Sequence, residues 1–168
     1  MLDAAVVRRT WRNGRDPSLR RRRVIAALAS AGLADFAVIS LYQLGALRHL
    51  PDPPLRAFDS DRVNGSAKAY AFGVPDGTTG ALLYAAELVL AAAGGSSDSG
   101  RPLAASALLA GASAMGAGAA VYYLWDMFVR EKRACAYCLV GAALNVSMFP
   151  LALRDVAEHV RERRARPG

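Results

Sequence analysis

The sequence predicts an all-α, polytopic membrane protein that folds as a bundle of four transmembrane helices. Its 168 residues are enough for one domain. Hydrophobic residues make up 54% of the chain, more than is usual in soluble proteins, yet 21% of residues are charged, so the two groups must be segregated along the chain. A disordered chain is excluded by this composition, and two cysteines are too few for a disulfide-stapled secreted miniprotein.

Four apolar stretches account for the segregation, at about residues 24–47, 78–95, 103–129 and 135–153. A bilayer core requires about 20 apolar residues per helix. Any one stretch could be a buried helix of a soluble protein, but four in so short a chain would leave little soluble shell to cover them. Pro150 near the end of the fourth stretch is tolerated in membrane helices, where neighbouring groups satisfy the freed backbone.

The distribution of basic residues predicts the orientation of the bundle. Fourteen of the 21 lysines and arginines lie before the first stretch, between the second and third, or after the fourth. Positive charge favours the cytoplasmic side, so we expect cytoplasmic segments at 1–23 and 154–168, a membrane domain at 24–153, and an outer loop at about 48–77. The predicted location is the cell (inner) membrane. The arginine clusters lack interleaved aromatic residues, which favours anionic lipid over nucleic acid as their partner.

The outer loop changes abruptly in composition. Prolines at 51, 53 and 54 keep its first part extended, residues 61–72 could form a short amphipathic helix, and residues 73–80 are typical of a turn.

The chemistry is concentrated in Cys135 and Cys138, at the outer start of the fourth stretch. A spacing of three places both sulfurs on one face of a helix. A helix N-terminus, with Arg130, Lys132 and Arg133 just before the pair, favours thiolate character and thus a redox pair. A structural disulfide or two packing cysteines remain alternatives. Zinc usually requires four ligands, and since only His49 could join the cysteines from the same side, no metal is expected.

These features resemble the vitamin K epoxide reductase family over residues 24–153. The motifs that carry the resemblance are, in chain order, ISLYQL at 39–44, Ser66 six residues before Phe72-Gly73, FGVPDGTTG at 72–80, the pair Cys135 and Cys138 at the fourth helix, and Asn145 seven residues after Cys138.

The resemblance implies a quinone-linked thiol oxidoreductase. Cys138 would face the quinone, either menaquinone or ubiquinone, and Cys135 would exchange with a partner disulfide. The expected electron donor is an exported thioredoxin-like (DsbA-like) thiol oxidase. The positions that the resemblance assigns to quinone binding are Asp76, Ser66, Phe72, Asn145 and Ala142.

Three departures from the family pattern refine this expectation. The outer loop lacks the family's second cysteine pair, and Ser60 stands at the position of one of them, so we expect a donor to attack the Cys135–Cys138 disulfide directly. Asp76 replaces an asparagine, and must be protonated to donate a hydrogen bond or else act as a proton acceptor. Ala142 replaces a tyrosine of some members, which could alter quinone affinity or identity. The alternative function is a non-catalytic membrane interaction or assembly protein that retains the bundle.

Two acidic residues fall inside apolar stretches. Asp35 and Glu87 are functional candidates because charge is costly there. Each could be a protonated side chain bonded to a neighbouring helix or part of a proton route. Asp126 could pair with Arg130 one turn on. Tyr84 and Tyr123 are expected to be core residues or interfacial anchors.

Overall fold

A computed structural model describes residues 4–71, 73–93 and 101–165, which form an all-α bundle. Four helices surround the core, each packed against the next and the last against the first; in this order they are Pro17–Gln43, Asp76–Ala92, Leu103–Asp126 and Ala136–Ala165. The helices are α1 (Ala4–Asn13), α2 (Pro17–Gln43), α3 (Ser60–Asn64), α4 (Asp76–Ala92), α5 (Leu103–Asp126) and α6 (Ala136–Ala165), with a 3-10 turn at Ala67–Tyr70 and a π-helical turn at Met127–Glu131.

Three of these helices are long and apolar enough to cross a membrane. They are α2, α5 with its π-helical turn, and α6 over its first 27 residues. This confirms the prediction of a multi-pass membrane protein. At 17 residues, α4 is shorter, about 25 Å from end to end. The fourth crossing therefore stays a prediction.

Two helices extend well beyond the apolar stretches. The second helix begins at Pro17, where Asp16 accepts a hydrogen bond from the Ser18 backbone N–H, so the basic residues at 20–23 are helical. The sixth helix continues through Pro150 to Ala165. The bundle is consequently longer at this end than hydropathy alone indicates.

The core depends on close approaches between helices. Tyr84, buried on α4, packs its ring against Gly32 on α2, where a Cβ atom would overlap it. Gly80 makes the same kind of contact with the Phe36 ring, whose centroid lies 5.4 Å from that of Tyr84. Small residues permit this proximity in membrane helices. Gly116 on α5 likewise lies against Asn145.

A buried polar cluster joins the helices at one end of the bundle. The fully buried Arg22 donates hydrogen bonds of 2.9 Å to the Ala91 and Ala93 carbonyls at the end of α4. Asp155 on α6 accepts from Ser18 at 2.7 Å and from Ser106 at 2.8 Å, and buried Arg101 also contacts it. We call these residues the base cluster: Ser18, Arg22, Arg101, Ser106 and Asp155. It holds the start of α2 beside the end of α6, opposite the cysteines.

The predicted outer loop, which joins α2 to α4, is docked on the start of α6. The Asp59 N–H donates to the Ala134 carbonyl at 2.9 Å, and the Ala134 N–H donates to the Ala57 carbonyl at 2.7 Å. In place of one helix over 61–72, the structure has α3 and the 3-10 turn, separated by Gly65 and Ser66. We refer to residues 57–64 as the cover segment.

Candidate functional site

The two cysteines form a disulfide at the N-terminus of α6, with their Cα atoms 5.2 Å apart. Cys135 is fully buried and occupies the capping position. Its Sγ accepts the Cys138 N–H at 3.0 Å and its carbonyl accepts the Leu139 N–H at 3.1 Å. A sulfur held at a helix N-terminus is stabilised as a thiolate. The pair is therefore placed for thiol-disulfide chemistry.

Asn64 contacts both sulfurs, a role that the sequence analysis did not assign. Its Nδ2 donates to Cys135 Sγ at 3.2 Å, and its Oδ1 lies 3.8 Å from Cys138 Sγ. Only 3% of Asn64 is exposed. The sequence signal that could have identified it is its spacing from Ser60, which places the two polar residues on one face of a single helical turn.

The fully buried Ser60 attaches the cover segment above Cys135. Its Oγ accepts the Ala136 N–H at 3.1 Å and donates to Asp52 Oδ1 at 2.6 Å. The Ser60 N–H also donates to Asp52 Oδ2, at 2.6 Å. The position at which the resemblance indicates a lost cysteine thus lies against the residue that follows Cys135. Because Cys135 is fully buried, its sulfur is not accessible in this conformation.

A cavity of about 440 Å³ opens between the helices beside Cys138. Small-molecule sites have volumes of about 300–1,000 Å³. Four of the predicted site residues line it, namely Asp76, Cys138, Ala142 and Asn145. The rest of its wall is mainly apolar or aromatic and includes Phe36, Ile39, Leu83, Tyr84, Met115, Tyr123 and Leu124.

Asp76 is the first residue of α4, before the apolar part of that helix, and is held by Gln43. The Gln43 Nε2 donates to Asp76 Oδ1 at 2.6 Å, and Gln43 Oε1 accepts the Gly77 N–H at 2.9 Å. Burial raises the pKa of Asp76 above the ordinary carboxyl value, while the hydrogen bond from Gln43 opposes that rise. Asp76 is therefore suited to keep a proton at a higher pH than an exposed aspartate.

Asn145 is fixed by Tyr84 and by its own helix. Its Nδ2 donates to the Tyr84 hydroxyl at 2.7 Å and to the Gly141 carbonyl at 3.1 Å. The Tyr84 hydroxyl itself donates to the Gly141 carbonyl at 2.8 Å. Tyr84 is a core residue, as predicted, and it also forms part of the cavity wall.

Two of the predicted quinone-binding residues are not placed in that wall. Ser66 lines a smaller pocket of about 30 Å³ that adjoins Cys138 and Asp76. Phe72 lies outside the described residues. Lys68 also lines the smaller pocket, and its Nζ contacts Asp126 at 2.6 Å and lies 3.9 Å from the centre of the Tyr122 ring.

The basic residues before the cysteines contact other groups. Arg130 pairs with Asp126 at 3.4 Å, as predicted, and Arg133 donates to the Arg56 carbonyl at 2.9 Å. The groups found in contact with the Cys135 sulfur are instead the α6 N-terminus and Asn64.

The remaining candidates lie apart from the sulfurs. Glu87 on α4 accepts a hydrogen bond from Ser113 on α5 at 2.9 Å, and Asp35 Oδ2 has no hydrogen-bond partner within the described ranges. His49 contacts Asp61 at 2.8 Å. Within residues 4–71, 73–93 and 101–165, no three histidine, cysteine or acidic side chains are grouped to hold a metal ion.

Comparison with known proteins gives one result that covers most of the chain. The model of the vitamin K epoxide reductase family matches residues 23–153, which is 131 of 168 residues. The matched range includes both cysteines, the cover segment and the cavity wall. No curated protein matches the sequence.

Proposed function

The chain belongs to the vitamin K epoxide reductase family, and from this premise we propose that it is a quinone-linked thiol-disulfide oxidoreductase of the membrane. The family comprises membrane oxidoreductases that use quinones. In this chain, electrons would pass from dithiols of an exported partner to Cys135 and Cys138, and then to a quinone. The observation that supports the proposal most directly is that Cys138, half-buried at the N-terminus of α6, lies in the wall of the 440 Å³ cavity.

The cavity suits a quinone headgroup. Its wall is mostly apolar, and it carries a few polar groups, among them Asp76 and Asn145, next to one sulfur of the pair. A bound quinone supplies an acceptor for two electrons and two protons. We assign one of those protons to Asp76, because its half-buried carboxyl keeps a proton at a higher pH than an exposed carboxyl would.

The donor reaction begins at Cys135. A thiolate of the partner attacks Cys135 Sγ, the Cys135–Cys138 bond breaks, and Cys138 takes the electron pair. The second thiol of the partner loses its proton and attacks the partner sulfur of the mixed disulfide, so that Cys135 leaves as a thiolate. The proton that the second partner thiol loses passes to Cys138. The partner therefore ends as a disulfide, and this chain ends with Cys138 as a thiol and Cys135 as a thiolate. Because Cys135 is covered by residues 57–64, the partner must displace that segment.

We expect the donor to be an exported thioredoxin-like (DsbA-like) thiol oxidase, with the cysteines at the outer face of the inner membrane and both termini in the cytoplasm. The basic residues of the two terminal segments support this orientation. A membrane-impermeant thiol reagent added from the outside should therefore label the reduced protein, and the same reagent should not label it from the cytoplasmic side.

The decisive experiment measures quinol formation. The protein is purified in detergent, reduced, freed of reductant and mixed with menaquinone or ubiquinone analogues. We expect one quinol per protein from the wild type and none from Cys138→Ala, while Ser147→Ala, on the exposed face of the same helix, should match the wild type. Cys138→Ala should also trap a partner as a mixed disulfide on Cys135. Absence of both quinol formation and trapping would refute the proposal.

A second candidate is a non-catalytic interaction or assembly protein. The loop without cysteines and the complete burial of Cys135 favour it, because both remove an obvious entry for electrons. Under this alternative the wild type and Cys138→Ala would be equally inactive with every quinone.

A further inference from the structure

The side-chain amide of Asn64 is fixed in one orientation between the two sulfurs. Its Nδ2 donates to the Ser60 carbonyl at 2.8 Å as well as to Cys135 Sγ at 3.2 Å, which uses both of its protons. A carbonyl only accepts hydrogen bonds, so the nitrogen must face Ser60, and the oxygen is directed to the other side, 3.8 Å from Cys138 Sγ. The amide thus presents a donor to one cysteine and an acceptor to the other.

The backbone around Asn64 is held as firmly as its side chain. The Asn64 carbonyl accepts a hydrogen bond of 3.2 Å from Gln43 Nε2, and Ser60, at the other end of α3, is bonded to Asp52 and to the N–H of Ala136. With the residue 3% exposed, water is largely excluded from its contact with Cys135. A hydrogen bond in such a setting is electrostatically stronger than in water.

We propose that Asn64 is a further catalytic residue. When the disulfide is reduced, its amide stabilises a thiolate at Cys135 and a protonated thiol at Cys138. This inference rests on the proposed function, since it concerns the dithiol formed in that reaction. In the dithiol, the Cys135 thiolate accepts from Asn64 Nδ2 and from the Cys138 N–H, and the Cys138 thiol donates to Asn64 Oδ1.

The proton and electron balance follows from this assignment. In the reduced pair, Cys138 holds the proton that the partner's second thiol lost, and Cys135 stays a thiolate. When the disulfide is remade, a bond forms between the two sulfurs and the Cys138 S–H bond breaks. Two electrons and the Cys138 proton pass to the quinone, and the second proton must come from another group at the cavity, for which Asp76 is placed.

The first test measures the stability of the dithiol without any quinone. Purified wild type, Asn64→Leu and Asn64→Asp are equilibrated with glutathione buffers in detergent at pH 7, and the disulfide fraction is measured by thiol labelling after acid quenching. Loss of a hydrogen bond to a charged group should shift the equilibrium of Asn64→Leu toward the disulfide by about tenfold or more. Asn64→Asp, of the same shape but without the donors, should shift it at least as far.

The second test assigns the charge to one sulfur. In Cys138→Ser, thiolate absorbance reports Cys135 alone, and Asn64→Leu should raise the pH at which this thiolate forms. In Cys135→Ser, the same substitution should not raise it, because Cys138 faces the amide oxygen. Asn13→Leu, on the exposed part of α1, serves as the matched control and should leave both titrations unchanged.

The outcomes separate this inference from the proposed function. If the wild type forms quinol but Asn64→Leu and Asn64→Asp keep the wild-type glutathione equilibrium, the role of Asn64 is refuted and the proposed function stands. If the shifts occur but the wild type reduces no quinone, Asn64 acts on the sulfurs as proposed and the quinone-linked function fails. If Asn64→Leu raised the pH of thiolate formation equally for the two cysteines, the proposed placement of the charge on Cys135 would also be refuted.

Discussion

Replacement of Ser60 by alanine should make Cys135 much more accessible. The hydroxyl that is lost accepts from Ala136 N–H at the start of α6 and donates to the Asp52 carboxylate. In Ser60→Ala, the Ala136 N–H has lost this acceptor while the cover segment is closed. When the segment is open, water accepts the hydrogen bond instead. Loss of a helix-capping contact and a charge-assisted hydrogen bond costs about 2 kcal/mol. Since 1.4 kcal/mol corresponds to about a tenfold change in an equilibrium, opening of the cover segment should increase about thirtyfold.

Alkylation kinetics measure this opening directly. In a Cys138→Ala background the single thiol is that of Cys135, and when closing is fast its rate of reaction with a maleimide is proportional to the open fraction. We expect the rate with Ser60→Ala to exceed that of the parent by about thirtyfold, with helical content unchanged by circular dichroism. Ser147→Ala removes a hydroxyl that bonds only within α6, to the Ala143 carbonyl, and should not change the rate. A rate within twofold of the parent for Ser60→Ala would show that the cover segment does not control access.

Three other substitutions test the cavity, its proton and the packing. In the wild type, the rate of quinol formation should fall as pH rises through the raised pKa of Asp76, because the carboxyl then loses the proton it supplies. Asp76→Asn should abolish this pH dependence. Ala142→Phe should raise the KM for quinone at least tenfold by filling the cavity, without changing the glutathione equilibrium of the cysteines. Gly32→Ala should lower the free energy of unfolding by about 1–3 kcal/mol, measured in detergent, because its Cβ overlaps the Tyr84 ring.

The long helices are predicted well from the sequence, because hydropathy and the length of each apolar stretch are sufficient to identify a membrane-spanning helix. The third stretch, expected at about 103–129, corresponds to α5 and its π-helical turn at 103–131. The predicted helix bounds are wrong where α2 and α6 continue beyond their apolar stretches. The cap formed by Asp16 and Pro17 is a local signal for the start of α2, whereas the contacts of Arg22 and Asp155 with neighbouring helices have no local pattern.

The candidate site is predicted less completely. Cys138, Asp76, Ala142 and Asn145 meet at the cavity, but Asn64 and Gln43 reach the site through contacts between distant parts of the chain. Asn64 is 71 residues from Cys135 in sequence, and its role depends on how the outer loop folds over α6. Alternation of apolar and polar residues does not determine such a fold, since hydrogen bonds and turns arrange the loop.

The base cluster has a consequence for the depth of the protein in the bilayer. Its two buried guanidinium groups, Arg22 and Arg101, mark a level that must lie near the lipid headgroups, because charge is costly in hydrocarbon. From this level to Asp76 at the opposite end, α4 spans about 25 Å, against about 30 Å for a typical hydrocarbon core. Such hydrophobic mismatch is relieved by thinning of the surrounding lipid. If α4 crosses the membrane as predicted, lipid acyl-chain length should influence how close the cavity lies to the membrane surface.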